Sequence, residues 1–144
     1  MIEKDTIKLL RECDAGVKMG ISSINDVIDY VYDKNFKNKL LKCKEDHSTL
    51  KKEIEEGLSD FHDDGKDPNP IAKGMSVVET NVKLIINESD ATIADLMTKG
   101  CNMGIKSLNK YLNQYKAADE RTKDIAKKLI KQEEKLVKDI AMYL

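Results

Sequence analysis

Two stretches of the chain, MGISSINDVI at 19–28 and MGIKSLNKYL at 103–112, are closely similar and lie 84 residues apart. The same shift brings further residues into register: Gly16 with Gly100, Met19 with Met103, Gly20 with Gly104, Ile21 with Ile105, Ser23 with Ser107 and Asn25 with Asn109. A shift of 86 residues aligns a second pair of regions: Leu50 with Leu136, Ile54 with Ile140 and His47 with Glu133. The sequence therefore predicts a duplicated helical hairpin, with chance similarity between amphipathic helices as the alternative.

The apolar residues recur at alternating steps of three and four, which is the period of an amphipathic α-helix. They predict an all-α fold of four long helices, arranged as antiparallel hairpins over 5–59 and 89–144 of a single domain at 1–144. The connection at 60–88 is predicted to carry a shorter helix and to let the second hairpin start at the opposite end of the bundle. Side chains suited to helix capping occur at 33–35, at Asn69, at Ser89 or Asp90, and at Asp119.

The composition excludes several classes of partner. Of the 144 residues, 35% are charged and 40% are hydrophobic, and the net charge is −1. No stripe of basic residues is present, so nucleic acid is not expected as a partner. No apolar run approaches the ~20 residues of a membrane span, so no membrane association is expected. The three cysteines form no C-x-x-C pair, which favours reduced thiols and a cytoplasmic location, with Cys43 and Cys101 packed in the core.

Four glycines occupy matched places inside the first and third predicted helices. Gly16 and Gly20 form one G-x-x-x-G pair, and Gly100 and Gly104 form the other. A glycine inside a helix costs about 1 kcal/mol relative to alanine, so four of them need a structural reason. We expect a close crossing of the two helices at these residues, with tolerance at surface sites as the alternative.

A few polar residues stand where the helical period calls for apolar ones: Asp14, His47, Thr98, and Gln132 with Glu133 beside it. One interpretation is a buried polar layer of Asp14, His47, Thr98 and Gln132 that fixes the register between helices. A second is a residual metal or small-ligand site, for which the candidate ligands are Glu12, Asp14, His47 and Glu133. A third is that His47 simply faces the solvent.

The segment DFHDDGKDPNP at 60–70 is predicted to be a loop, because it holds both prolines and a glycine. Its acidic residues are similar to those of a calcium-binding loop. However, the third position would be His62 and the twelfth Ile71, where that loop needs an oxygen ligand and a bidentate Glu. A solvated turn is therefore the favoured interpretation.

The helix lengths, the crossover with its short helix, the hairpin repeat and the apolar rhythm around CDAGVKMG at 13–20 together resemble the ferritin-like superfamily. Within it, the chain is similar to small bacterial ferritin-like proteins of unknown function. The resemblance implies a four-helix bundle with one long crossover. In di-iron members it also implies a Glu on the first and third helices and an E-x-x-H on the second and fourth.

That ligand set is not present in this sequence. The residue three positions before His47 is Lys44, and the one before His62 is Ser59, so no E-x-x-H exists. Glu12 on the first helix aligns with Leu96 on the third. Di-iron oxidase activity and a bound cofactor are therefore not expected.

The sequence thus predicts a non-catalytic, cytoplasmic bundle that acts as a binding or structural module. Self-association into a homodimer or other homo-oligomer is expected, because the predicted helix at 70–87 has more apolar residues than one stripe, including Val77, Leu84 and Ile86. Two alternatives stay open. One is an atypical iron-binding protein in metal or oxidative-stress handling, and the other is a helical adaptor or regulator that binds a partner protein.

Overall fold

A computed structural model describes residues 2–68 and 89–144, and in these ranges all regular structure is helical. Helix α1 spans Ile2–Val27 and continues into a 3-10 turn at Ile28–Tyr30. Helix α2 spans Lys34–Ser59, α3 spans Asp90–Gln114, and α4 spans Glu120–Ile140 before a final 3-10 turn at Ala141–Tyr143. The prediction of an all-α four-helix bundle is confirmed. The predicted short helix at 70–87 lies outside the described residues.

Three helices begin at side chains that the sequence indicates as caps. The Asp33 carboxylate accepts a hydrogen bond from the backbone N–H of Phe36 at 2.8 Å. The Ser89 hydroxyl accepts from a backbone N–H at 3.2 Å, and the Asp119 carboxylate does so at 2.8 Å. Each bond satisfies an N–H that has no partner within its helix. Of the two residues proposed for the start of α3, Ser89 is the cap.

Hydrogen bonds between helix ends fix the directions of the four helices. Asp5 and Thr6, at the start of α1, accept bonds from the backbone of the turn between α3 and α4 at 3.0 and 2.9 Å. At the other end, Asp90 accepts two bonds of 2.9 Å from the backbone of the turn between α1 and α2. Helices α1 and α4 therefore run in one direction, and α2 and α3 run in the other. The end of α2 and the start of α3 therefore lie at opposite ends of the bundle.

The apolar core forms two clusters, one near each end of the bundle. The cluster near the start of α1 includes Leu9, Leu10, Cys13, Val17, Leu50, Ile54, Leu58, Leu108, Ile125 and Leu129. The cluster near the end of α1 includes Ile24, Val27, Phe36, Leu40, Cys43, Ile93, Met97, Cys101, Leu136 and Ile140. His47 and Glu133 are buried polar residues that belong to neither cluster and lie along α2 and α4 between members of the two.

The two hairpins share many of their buried positions. Buried residues of α1 recur 84 residues later in α3 as Leu9 and Ile93, Leu10 and Ala94, Cys13 and Met97, Val17 and Cys101, and Ile24 and Leu108. Those of α2 recur 86 residues later in α4 as Leu40 and Ala126, Cys43 and Leu129, His47 and Glu133, Leu50 and Leu136, and Ile54 and Ile140. These are the two shifts that align the sequence.

The loop that follows α2 is held against α1 by charged groups. Asp14 is buried, and its carboxylate pairs with Lys18 at 2.7 Å and accepts from the backbone N–H of Lys66 at 3.0 Å. Asp63 pairs with Arg11. Gly65 has a φ of 86° and lies so close to the Asp14 carboxylate that no side chain fits there. Acidic residues of this loop thus pair with cations of α1.

Candidate functional site

His47 on α2 and Glu133 on α4 form a buried pair in the middle of the bundle. His47 is 1% exposed and Glu133 is 8% exposed. Nε2 of His47 lies 3.1 Å from Oε1 of Glu133. The two residues that coincide when the hairpins are aligned are therefore hydrogen-bonded to each other.

Two cysteines extend this pair on its opposite sides. Nδ1 of His47 lies 3.7 Å from Sγ of Cys43, one helical turn earlier on α2, which is within hydrogen-bonding range for sulfur. The thiol of Cys101 on α3 lies against the Glu133 carboxylate. Three helices thus contribute a continuous array of thiol, imidazole, carboxylate and thiol.

The charges of the array follow from these contacts. Burial alone would lower the pKa of His47, but hydrogen bonds with Cys43 and Glu133 raise it to about 10. His47 is therefore an imidazolium at neutral pH, and it forms an ion pair with the Glu133 carboxylate. Burial and the same carboxylate raise the pKa of Cys101, which remains a neutral thiol.

Two of the four glycines, Gly20 and Gly104, lie beside this pair. A Cβ atom on Gly20 would lie 2.7 Å from Cδ2 and 2.9 Å from Nε2 of His47, and one on Gly104 would lie 3.8 Å from Cδ of Glu133. At Gly100 no close contact is seen, because an added Cβ would meet no atom of another helix within 4 Å among residues 2–68 and 89–144. At Gly16 the nearest atom belongs to Leu129 of α4, at 3.6 Å. Gly20 is needed because the imidazole occupies the space of its missing side chain.

This gives opposite predictions for two alanine substitutions. We expect Gly20→Ala to lower the free energy of unfolding by about 1–2 kcal/mol, because overpacking His47 outweighs the gain in helix propensity. Gly100→Ala, the matched control, should raise it by up to about 1 kcal/mol, because open space leaves only the propensity gain. Urea denaturation measures both, and a stabilised Gly20→Ala protein would contradict this view of the pair.

The four candidate metal ligands fall into two separate places. Glu12 and Asp14 lie at the loop after α2, where each pairs with a lysine, whereas His47 and Glu133 pair with each other in the core. Among residues 2–68 and 89–144, no group of three His, Cys, Asp or Glu side chains is arranged to hold a metal ion. The structure therefore does not bring the proposed ligand set together.

The predicted polar layer is likewise divided among several places. Asp14 bonds to the loop, while the Gln132 amide donates to the backbone carbonyl of Asp46 at 3.3 Å. The Thr98 hydroxyl is buried without a hydrogen-bond partner among the described residues. Of the four proposed members, His47 is the one that joins two helices through side chains, and its partner is Glu133.

A surface cleft of about 450 Å³ opens between the first half of α2 and the second half of α4. Its α2 wall is formed by Asn35, Asn38, Lys39, Lys42, Cys43 and Asp46. Its α4 wall is formed by Gln132, Lys135, Leu136 and Asp139, and Met142 and Tyr143 of the C-terminal turn complete it. Cys43, a member of the buried array, is therefore also one of the residues that line the cavity.

The lysines that line the cleft differ in whether they pair with a carboxylate. Lys42 pairs with Asp46 at 3.1 Å, and Lys135 pairs with Asp139 at 3.0 Å. Lys39 has no carboxylate partner among the described residues. Its Nζ donates to a backbone carbonyl at 3.1 Å and lies 5.2 Å from the centre of the Tyr143 ring. The walls of the cleft thus carry one more positive than negative charge.

The sequence did not indicate this cleft, whereas the prediction that Cys43 packs in the core is confirmed, because Cys43 is buried in the cluster near the end of α1. The available signal was the spacing of Cys43 and His47, because residues four apart share one face of a helix. That spacing gives no information about which neighbouring helix leaves a gap beside them.

No family model, curated protein or solved structure that was compared with the chain matches it. None of the helices in the described part of the chain is both long enough and apolar enough to cross a membrane.

Proposed function

We propose that the protein is a non-catalytic binding module whose ligand site is the cleft between α2 and α4. The observation that carries this proposal is an open cavity of about 450 Å³ in which the Lys39 ammonium lacks a carboxylate partner among the described residues. A site of this size accepts a small molecule.

The lining indicates the chemical class of the ligand. An anionic group is attracted to Lys39, because the net charge of the walls is positive. Leu136, Met142 and Tyr143 offer apolar and aromatic surface beside it. Oε1 of Gln132, buried without a hydrogen-bond partner in the described part of the chain, suits a ligand that brings an N–H or O–H donor. We therefore propose a small aromatic or amphipathic anion.

Benzoate is a simple probe of this site. In a titration followed by amide chemical shifts, we expect saturating changes confined to 35–46 and 132–143. Lys39→Gln should weaken benzoate binding about tenfold or more, because it removes the charge that has no carboxylate partner.

Lys110→Gln, on the exposed surface of α3 and outside the cleft, is the matched control and should leave binding unchanged. Equal binding of benzoate and of the cationic benzylamine would contradict the proposal, as would shift changes spread over the whole surface.

We also propose that the fold is ferritin-like and arose by duplication of one helical hairpin. The helix directions support it, since ferritin-like bundles have one long crossover between antiparallel hairpins. The burial patterns support it too, because the shifts of 84 and 86 residues that align the sequence also align the buried positions.

We also propose that the protein self-associates and that it is cytoplasmic. Exposed apolar side chains of Tyr30, Tyr32, Met142 and Leu144 lie at one end of the bundle and support a homodimer or another protein contact there. Free cysteines at all three positions support a reducing compartment. Light scattering during gel filtration should give a mass above that of the monomer, and a monomeric mass at all concentrations would contradict self-association.

A further inference from the structure

Cys43 is the cysteine of this chain that small molecules can reach. It lines the cleft and is 8% exposed, whereas Cys13 is 0% exposed and Cys101 is 3% exposed. A reagent of moderate size that enters the cleft lies beside Cys43, the cysteine that forms part of its wall.

The groups behind Cys43 are arranged to activate its thiol. Nδ1 of His47 lies 3.7 Å from Sγ, and Nε2 of the same ring lies 3.1 Å from Oε1 of Glu133. A nucleophile, a base and a third group that orients the base form the general pattern of an activated nucleophile. The Glu133 carboxylate holds the ring as an imidazolium, and an imidazolium beside sulfur stabilises the thiolate.

The other two cysteines have the opposite surroundings. Burial and the neighbouring carboxylates of Glu12 and Asp14 raise the pKa of Cys13 to about 12. Cys101 lies against the Glu133 carboxylate, which disfavours a thiolate there. Reactivity is therefore expected at one of the three thiols.

We propose that Cys43 undergoes thiol–disulfide exchange with small anionic disulfides that enter the cleft, with His47 and Glu133 stabilising its thiolate. The anionic preference comes from Lys39 and from the positive balance of the walls. This inference uses the proposed ligand cleft, but it concerns a covalent reaction at a different group.

The reaction is balanced without a further oxidant. The Cys43 thiolate attacks one sulfur of R–S–S–R, a bond forms between Sγ and that sulfur, and the original S–S bond breaks. The second half leaves as R–S⁻ and carries the electron pair of the broken bond. His47 remains an imidazolium throughout. A second small thiolate reverses the reaction by the same route.

The test uses the full-length protein and 5,5′-dithiobis(2-nitrobenzoate), an anionic disulfide whose leaving thiolate is coloured. We expect one thiol per chain to react at least about tenfold faster than the other two, and mass spectrometry should place the label on Cys43. His47→Gln should slow this phase at least about tenfold. Destabilisation by the substitution would instead accelerate labelling, so slower labelling identifies a role in activating the thiol.

A comparison of reagents tests the anionic preference. Lys39→Gln should slow the anionic reagent but not cystamine, a cationic disulfide. Labelling of all three cysteines at a common rate, or an unchanged rate in His47→Gln, would overturn the proposal.

Two measurements on the wild type separate this inference from the proposed function: benzoate binding followed by amide chemical shifts, and the fast phase of labelling. No benzoate binding together with normal exchange would contradict the binding module alone. Benzoate binding without any fast phase in the wild type would contradict the reactive thiol alone.

Discussion

Glu133→Leu is expected to lower the free energy of unfolding by about 3 kcal/mol, the largest effect that we predict for a single side chain. The substitution puts an apolar residue of similar size at a buried position, so little is lost in packing. It leaves Nε2 of His47 buried and without its partner, and the ring must either stay charged in the core or give up its proton. Chemical denaturation at neutral pH measures the loss.

A double-mutant cycle isolates the interaction from the effects of the individual residues. The protein with both His47→Leu and Glu133→Leu should be more stable than the sum of the single changes predicts, by about 2 kcal/mol or more. Glu134→Leu, at the exposed neighbouring position, is the matched control and should change stability by less than about 0.5 kcal/mol. Additive single and double changes would show that the pair has no energetic coupling.

The sequence was sufficient to predict the helices and their starts, because these depend on local chemistry. Apolar spacing locates the four helices, and a side-chain oxygen before a helix caps it whatever the tertiary structure is. The alignment of the two hairpins in the sequence also matches His47 with Glu133, and it needs no knowledge of their contact. Under the proposed duplication of one hairpin, equivalent residues that face the bundle axis would meet there, and the 3.1 Å hydrogen bond between His47 and Glu133 agrees with that expectation.

The glycines and Asp14 were misinterpreted because their roles depend on contacts between distant segments. A G-x-x-x-G pair is compatible with a close helix crossing, with space for a neighbouring side chain or with an open surface. Gly20 has the second role and Gly100 the third. Asp14 follows the apolar period of α1, but it faces the loop at Gly65, whose course along α1 cannot be derived from periodicity.

The candidate site was beyond sequence reasoning for a related reason. Cys43 lies on the apolar stripe of α2, so the default interpretation of a core residue was sound. Its access to solvent depends on the gap between α2 and α4, and the axial offset of two helices is set by the packing of the whole bundle. The offset of α2 and α4 must be known before Cys43, with His47 and Glu133 behind it, can be placed at the wall of a cleft.

Stability should fall as the pH rises from about 6.5, the ordinary pKa of histidine, towards the value of about 10 that the folded protein gives His47. A group whose pKa is raised by folding stabilises the protein fully below its unfolded pKa and loses that contribution as the pH passes through the folded value. The groups that face the ring are Cys43 from α2 and Glu133 from α4, with Gly20 from α1 adding no charge. The slope should approach 1.4 kcal/mol per pH unit at most.

The range between about pH 6.5 and about pH 7.5 separates His47 from the other groups whose pKa folding raises. Buried Cys13 and Cys101 also have raised pKa values, but an unfolded thiol is half ionised only at about pH 8.5, so their contribution changes mainly above that range. Urea denaturation in steps of pH, with His47→Gln beside the wild type, isolates the histidine. The variant should show a flat profile in this range because glutamine does not titrate. A wild-type profile equally flat, or one that rises, would mean that His47 is neutral in the folded protein and that Glu133 does not hold it as an imidazolium.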